Sequence, residues 1–456
     1  MNQEDAKDLE LSNALLDFIQ KSPSPFHAAA NLARVLDGHG FQELSEASEW
    51  NLKPGGCYYI RRNLSTLIAF RVPSGKLRGF QIAAAHSDSP TFRVKENMEI
   101  AADGAYTKLN VEKYGGMLCA PWFDRPLSVA GRLAVRTANG VETRLVNVDR
   151  DLLLIPSLAI HMNRSANDGT KYSIQNDMQP LFGDERAKGQ FPDIVAEAAG
   201  VKKEEILGSD LYLYVRGRGT IWGAEGEYLS TPKLDDLQCT FALLQGFLAG
   251  SHPDTASVYA VFDNEEVGSG TKQGAASTVL QDVLRRIAQA LGYPYSDYLR
   301  LLASSFMISA DNAHAVHPNH AAVADPTHHP HMNQGIVIKF SANQKYSTDA
   351  VSAAIFRTIA SRAGVPVQVF HNHSDQPGGS TLGNISNAQV SVNMVDIGLP
   401  QLAMHSAVET AGVRDTGYLA AAAAEFYSTF TENCGGGRYV LHQAESQIAA
   451  SLVGTV

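Results

Sequence analysis

The chain has 456 residues, 44% of them hydrophobic and 18% charged, which supplies a sizeable core for two or three domains and excludes a disordered polymer. A formal net charge of −10 excludes the basic face expected of a nucleic-acid binder. No uninterrupted apolar stretch is long enough to span a bilayer. The acidic start Met1-Asn-Gln-Glu-Asp-Ala-Lys-Asp8 lacks the basic-then-apolar pattern of a signal peptide, and Cys57, Cys119, Cys239 and Cys434 are too far apart in sequence to suggest a disulfide framework or a Cys-rich zinc site, so a reducing cytoplasm is expected.

Residues 9–20 place Leu11, Leu15, Leu16, Phe18 and Ile19 at helical spacing, and Ser22-Pro-Ser-Pro25 breaks the pattern. Ser24 can cap a second helix with Pro25 in its first turn, running to about Leu36 before Gly38 and Gly40. The apolar runs at 66–72 and 80–85 read as adjacent strands, the second ending in His86-Ser-Asp88. From about 93 to 230 the texture becomes short alternating segments separated by Gly-rich or charged turns, which predicts an inserted, mainly β domain.

Beyond it, Asp235 is placed to cap a helix over 237–248. The run 257–262 reads as a buried strand ending in Asp263-Asn-Glu265-Glu266. A helix follows over 281–291, strands at 305–310, 335–340 and 365–370, and helices over 349–363 and 415–430. The fold class is therefore α/β. A mixed, largely parallel sheet is sandwiched by helices, with residues 1–92 and 231–456 forming the main domain and 93–230 the β-rich insert. Six histidines lie between His314 and His331; such a tract can bind metal, and the plainer reading is a polar loop.

Chemistry-bearing residues share one placement. His86 and Asp88, Glu265 and Glu266, and Asp311 each follow a strand, while Asp235 and His405 lie at strand–helix junctions. Paired carboxylates at the end of a buried strand repel one another, and a metal or a shared proton relieves that. Imidazole and carboxylate donors without thiolate suit zinc, cobalt or manganese in a two-metal site. Asp88 could accept from the second ring nitrogen of His86 and fix its tautomer. Of the Glu-Glu pair, one carboxylate can be a ligand and the other a base.

Seven segments carry a family resemblance: Ala85-His-Ser-Asp-Ser-Pro90, Leu158-Ala-Ile-His-Met-Asn-Arg164, Lys233-Leu-Asp-Asp-Leu237, Val261-Phe-Asp-Asn-Glu-Glu-Val-Gly-Ser269, Ser309-Ala-Asp-Asn-Ala-His-Ala-Val-His-Pro-Asn319, Ile338-Lys-Phe-Ser-Ala-Asn-Gln-Lys-Tyr346 and Met404-His-Ser406. In this order they resemble the M18 metallo-aminopeptidases, the aspartyl aminopeptidase family. The resemblance implies a zinc-exopeptidase-like fold and two divalent ions per subunit, zinc first. His86, Asp235 and Asp311 would hold one ion, and Asp235, Glu266 and His405 the other, with Asp235 bridging. Glu265 would be general base and acid beside a metal-bridging hydroxide. His314, Lys339 and Tyr346 match substrate-contacting positions, and His161 matches a histidine that reaches a neighbouring subunit's site. The implied substrates are peptides with amino-terminal Asp or Glu, and the implied assembly is a tetrahedral dodecamer.

Lys339 has its own warrant, as a cation on an otherwise apolar strand: it points either to water at an edge or to an acidic substrate side chain. Three departures stand out against the family pattern. Asp236 occupies a usual Asn position, Asn312 a usual Met position, and the loop 373–381 lacks a Cys found in many relatives. Two rival readings use the same residues: a metal-dependent carboxypeptidase, dipeptidase or N-deacylase, and a catalytically silent scaffold or cargo protein.

Overall fold

The structure is a computed structural model and describes residues 3–444. Its centre is a nine-stranded sheet. Across it the strands run Gln42–Glu43, Cys57–Arg62, Thr66–Arg71, Thr255–Phe262, Gly79–His86, Phe306–Ala310, Asn393–Gly398, Ile336–Lys339 and Val367–Phe370. The four strands from Thr255–Phe262 to Asn393–Gly398 are parallel, so their carboxyl ends lie along one edge. The sheet is mixed because Thr66–Arg71 and Ile336–Lys339 run antiparallel to their inner neighbours.

Alternation explains why the central runs are continuously apolar. Ala83, Ala85, Tyr259 and Val261 face one helical layer, while Ile82, Ala84, Val258 and Ala260 face the other. The first layer contains Gln3–Gln20, Pro25–Gly38, Leu234–Ala249, Ala350–Arg362 and Asp415–Tyr427, and the second contains Val279–Ala290 and Tyr295–Ala303. Fully burying a side chain such as Phe241 or Leu244 contributes roughly 1.5–3 kcal/mol. Leu234–Ala249 and Asp415–Tyr427 pack closely because Gly246 faces Ala423, where an added Cβ would come within 2.3 Å of the alanine's own.

Ser24 accepts from the His27 backbone N–H at the start of Pro25–Gly38, as its position suggested. Three expectations are corrected. The strands at 66–71 and 79–86 are not neighbours, because Thr255–Phe262 lies between them and hydrogen-bonds to both. A run buried on both faces takes a central position, and nothing in the short connection at 72–78 reveals the strand that arrives later. The last long helix stops at Tyr427, and Phe430 belongs to the hairpin of Thr429–Asn433 with Tyr439–Gln443. Asp235 does not cap its helix, as described below.

A six-stranded antiparallel sheet uses strands from within residues 91–215, around a separate core that includes Phe92, Trp122, Phe191 and Leu211. Thr220–Trp222 and Tyr228–Thr231 lie within the 93–230 span but pair elsewhere, in a five-stranded sheet with Glu409–Gly412, Pro400–Leu402 and Ala313–His314. No helix among the described residues is long and apolar enough to cross a membrane.

Candidate metal centre and active site

The parallel strands deliver His86 at the end of Gly79–His86, the Glu265–Glu266 turn after Thr255–Phe262, and Asp311 after Phe306–Ala310. Asp235 enters from the first turn of Leu234–Ala249, and His405 from the loop between Pro400–Leu402 and Glu409–Gly412. Three of these deliveries pass through left-handed backbone at non-glycine residues: Lys233 (φ 60°), Asn264 (φ 62°) and His405 (φ 66°). Such conformations cost about 1 kcal/mol or more each and collect where surrounding structure dictates a side chain's aim.

The side chains converge as two overlapping groups. Ligand atoms of His86, Asp235 and Asp311 lie within 4.8 Å of one another, as do those of Asp235, Glu266 and His405. His86, Glu265 and Glu266 satisfy the same limit. His86 Nε2 is 3.3 Å from Asp235 Oδ1, and His405 Nε2 is 3.5 Å from Asp235 Oδ2 and 3.3 Å from Glu266 Oε2. Ligands about 2.0–2.1 Å from a tetrahedral zinc ion are about 3.3–3.4 Å apart, so these separations are those of atoms sharing an ion. The two oxygens of Asp235 face different histidines. Asp235 Oδ1 and Glu266 Oε1 are buried with no hydrogen-bond partner in the chain, which a cation would relieve. The donor set is imidazole and carboxylate throughout, and it fits zinc.

Crowding of charge sets the protonation of the metal-free site. Burial and neighbouring Asp311 and Asp88 push Glu265 up to about 8 against the opposing pull of His86. Burial, then Asp235, raises Glu266 well above the carboxylate range. Burial also opposes charge on Asp235, but the facing rings of His405 and His86 outweigh it and hold its carboxyl low. Burial disfavours a charged His86 as well, and Asp235 and Asp88 overcome it. Of the Asp235–Asp236 pair only Asp235 faces the histidines. Asp236 accepts from the His86 backbone N–H at 3.3 Å, and burial raises its pKa strongly.

Asp88 is 1% exposed and supports the centre from behind. His86 Nδ1 is 3.1 Å from the Asp88 carbonyl oxygen and 3.4 Å from Asp88 Oδ1, which leaves Nε2 toward Asp235. The carboxylate also accepts the backbone N–H groups of Glu265 (3.1 Å) and Glu266 (3.2 Å).

The expected substrate residues fall into one group and one outlier. Lys339 is 4% exposed; its Nζ donates to the Asn312 carbonyl at 2.9 Å, lies 3.7 Å from Asp311 Oδ1 and sits 5.4 Å from the centre of the Tyr346 ring. Asp311 and Tyr346 raise its pKa despite burial. Phe370 packs against both Tyr346 and the exposed His314. His161 stands apart on an exposed turn with exposed Leu158, Ile160 and Met162, and among the described residues it joins none of the metal-holding groups. None of the other histidines between 317 and 331 joins a metal-holding group among the described residues.

Sequence reasoning passed over Glu409. It is buried in Glu409–Gly412 and accepts the Asp235 N–H at 3.0 Å and the His405 N–H at 2.7 Å, tying the two residues together. Its signal was a lone carboxylate in the run Ala407-Val-Glu-Thr-Ala-Gly412, the same kind of signal that marked Lys339. Asn312 is compensated as a departure. Its amide donates to Gln238 and Gln401 and accepts from Cys239.

Comparison with known proteins agrees with this geometry. The family model for aminopeptidase I zinc metalloprotease (M18) matches residues 18–427. A probable M18 family aminopeptidase 2 of Clostridium acetobutylicum is 45% identical over 429 residues, 92% of this chain and 99% of that protein. Among solved structures, that of the Ape4 and Nbr1 complex matches with a TM-score of 0.90 at 36% identity, over 94% of this chain and 87% of that one. The S. cerevisiae mApe1 dodecamer matches with a TM-score of 0.80 at 29% identity, over 92% and 97% of the two chains. The chain therefore belongs to the M18 family of zinc metallo-aminopeptidases.

Proposed function

We propose that this aminopeptidase releases aspartate or glutamate from the amino termini of peptides. The observation that carries the reading is Lys339, a buried cation whose nearest carboxylate, Asp311, is itself placed to hold a metal. With Asp311 engaged by an ion, the lysine charge is left for a substrate side chain. A neutral residue at that position would leave the cation unpaired, which penalises non-acidic substrates.

In this reading His86, Asp235 and Asp311 would hold one divalent ion, and Asp235, Glu266 and His405 a second. When bound, the ions would supply Lewis acidity toward the first peptide carbonyl and the attacking water. Glu265 accepts the proton of that water and returns it to the leaving amine. Its placement supports this, since a carboxylate oxygen of Glu265 lies within 4.8 Å of ligand atoms of both His86 and Glu266. Asp88 and Glu409 hold the ligands in place through His86 Nδ1 and backbone N–H groups. His314 and Tyr346 flank the substrate side chain with Lys339. His161, with its exposed apolar turn, completes the site of a neighbouring subunit in an assembly like the mApe1 dodecamer, and the enzyme works in the cytoplasm.

The test is release of amino acid from peptides beginning with Asp, Glu or Leu, with and without chelator, for the wild type and Lys339→Met. Acidic termini should be cleaved at least ~10-fold faster than Leu, with activity lost on chelation and restored by zinc; Lys339→Met should remove most of that preference. Equal losses on acidic and neutral peptides would sink the specificity argument. Cleavage of an amino-acetylated Asp peptide at the free-peptide rate would favour the carboxypeptidase or N-deacylase reading.

A further inference from the structure

We propose that residues 114–118, where the strand Tyr106–Tyr114 leaves the antiparallel sheet, form a clasp that holds the metal-binding loops of the same chain in register. Tyr114 is its positioning residue and acts through Asp88. The proposal rests on the reading of His86, Glu266 and His405 as ligands and Glu265 as base, and it adds a residue from the other sheet to that site.

The contacts converge from one short segment. Tyr114 Oη donates to Asp88 Oδ2 at 2.6 Å and accepts from Asn264 Nδ2 at 2.9 Å. Asn264 is the left-handed residue immediately before Glu265, and its side-chain Oδ1 accepts from Thr271 Oγ1 and Gln273 Nε2. The hydroxyl therefore joins the carboxylate that steers His86 to the residue that launches the Glu265–Glu266 turn. Gly115 follows at φ 74°, pressed so closely on the site that a Cβ there would lie 3.2 Å from Glu266 Cβ and 3.5 Å from Pro90 Cα. A Cβ on Gly116 would lie 3.8 Å from His405 Nδ1, and the Leu118 N–H donates to the His405 carbonyl at 3.0 Å. Four of these five residues, Tyr114, Gly115, Gly116 and Leu118, thus lie against the loops bearing His86, Glu265–Glu266 and His405.

The Asp88 carboxylate is a buried charge that depends on its donors. Two are the backbone N–H groups of Glu265 and Glu266, and Tyr114 supplies the shortest. Without the hydroxyl the carboxylate is one donor short and free to rotate, and with it the His86 ring and the Glu turn. Outer groups of this kind change metal affinity or activity by about 10–100-fold. Tyr114→Phe keeps the ring, which packs edge-on against Tyr212 at 5.5 Å.

The test measures zinc affinity by chelator competition, kcat and KM, and melting of the metal-free protein, for wild type, Tyr114→Phe, Gly115→Ala and the packing control Tyr212→Phe. The expected result for Tyr114→Phe is a loss of about 10-fold or more in zinc affinity or kcat, with KM within about two-fold and metal-free melting unchanged. Tyr212→Phe should match the wild type in zinc affinity and kcat. Wild-type zinc affinity and kcat in Tyr114→Phe would overturn the proposal. So would parallel melting losses in both Phe variants without a zinc or kcat effect, since that is the mark of packing alone. Gly115→Ala is expected to lose more than Tyr114→Phe, and if it fails to fold, Tyr114→Phe decides. Absence of an acidic preference in the wild type would refute the substrate reading while leaving the zinc measurements in force.

Discussion

Replacing Glu265 by glutamine separates proton transfer from metal binding. The substitution keeps the side chain's size, and the backbone N–H of residue 265 still donates to Asp88 Oδ1, so the turn and the adjoining ligands are retained. What disappears is a carboxylate able to accept a proton. Loss of a general base lowers turnover by about 10²–10⁴-fold, or ~2.7–5.4 kcal/mol at ~1.36 kcal/mol per decade. Glu266→Gln removes a different function. Glu266 Oε2 faces His405 Nε2 at 3.3 Å and its other oxygen is buried without a partner, so this change should cost one metal equivalent. The assay is metal content after dialysis against zinc-limited buffer, together with kcat at saturating Asp-peptide. Full metal content with kcat down by decades is expected for Glu265→Gln. If Glu265→Gln lost an ion while Glu266→Gln kept both, the two roles would be reversed and the mechanism refuted as written.

Two further predictions follow from burial and from assembly. In the metal-free protein Glu409 is raised to about 8 and Asp415 to about 7, chiefly by burial, and Glu265 also to about 8. Carboxyls raised above their unfolded values contribute stability that is full below about pH 4.5 and is lost as pH rises toward 8, with a slope up to ~1.4 kcal/mol per pH unit for a buried group such as Glu409. Melting of the chelated protein should therefore fall between pH 5 and 8, and zinc should flatten the trend; a chelated protein whose melting rises with pH would contradict this. If His161 acts in a neighbouring subunit, dissociating and reassembling an equal mixture of His161→Ala and Glu265→Gln should recover about a quarter of wild-type activity, because one site in four then has both residues. No recovery from reassembled mixtures would place His161 in its own chain's site, and about half of wild-type activity would place it outside catalysis.

The parts of the fold legible in the sequence were those with one strong cause. Continuous apolar runs gave the central strands, and Ser24 marked a helix start through its side-chain cap. Asn393–Gly398 went unrecognised although it is central, because Asn393 and Asp396 interrupt its apolar pattern. Asp396 is nevertheless buried and accepts from the Ser347 backbone N–H. Tyr295–Ala303 is a single short helix behind Pro294, with too few turns for its period to show. Asp235 reads from the sequence both as a cap and as a ligand, because a carboxylate at a helix start is ordinarily a cap, and its side chain turns to His86 and His405 instead. The ligand set was legible as a pattern of strand ends. Tyr114 and Glu409 were not, since Tyr114 acts through Asp88 and Glu409 links His405 to the distant Asp235.

The position of Thr255–Phe262 has a consequence for synthesis. This strand lies between Thr66–Arg71 and Gly79–His86, so the first part of the chain leaves the ribosome with a slot in its sheet that stays open through the whole antiparallel unit. That unit takes all its strands from residues 91–215 and has its own core, so it can form while the slot waits. The slot closes with the segment that brings Glu265 and Glu266, while Asp311 and His405 come later still. Zinc capture is thus a late event in the life of the chain, and a product truncated before residue 405 would retain much of the sheet yet hold an incomplete pair of sites.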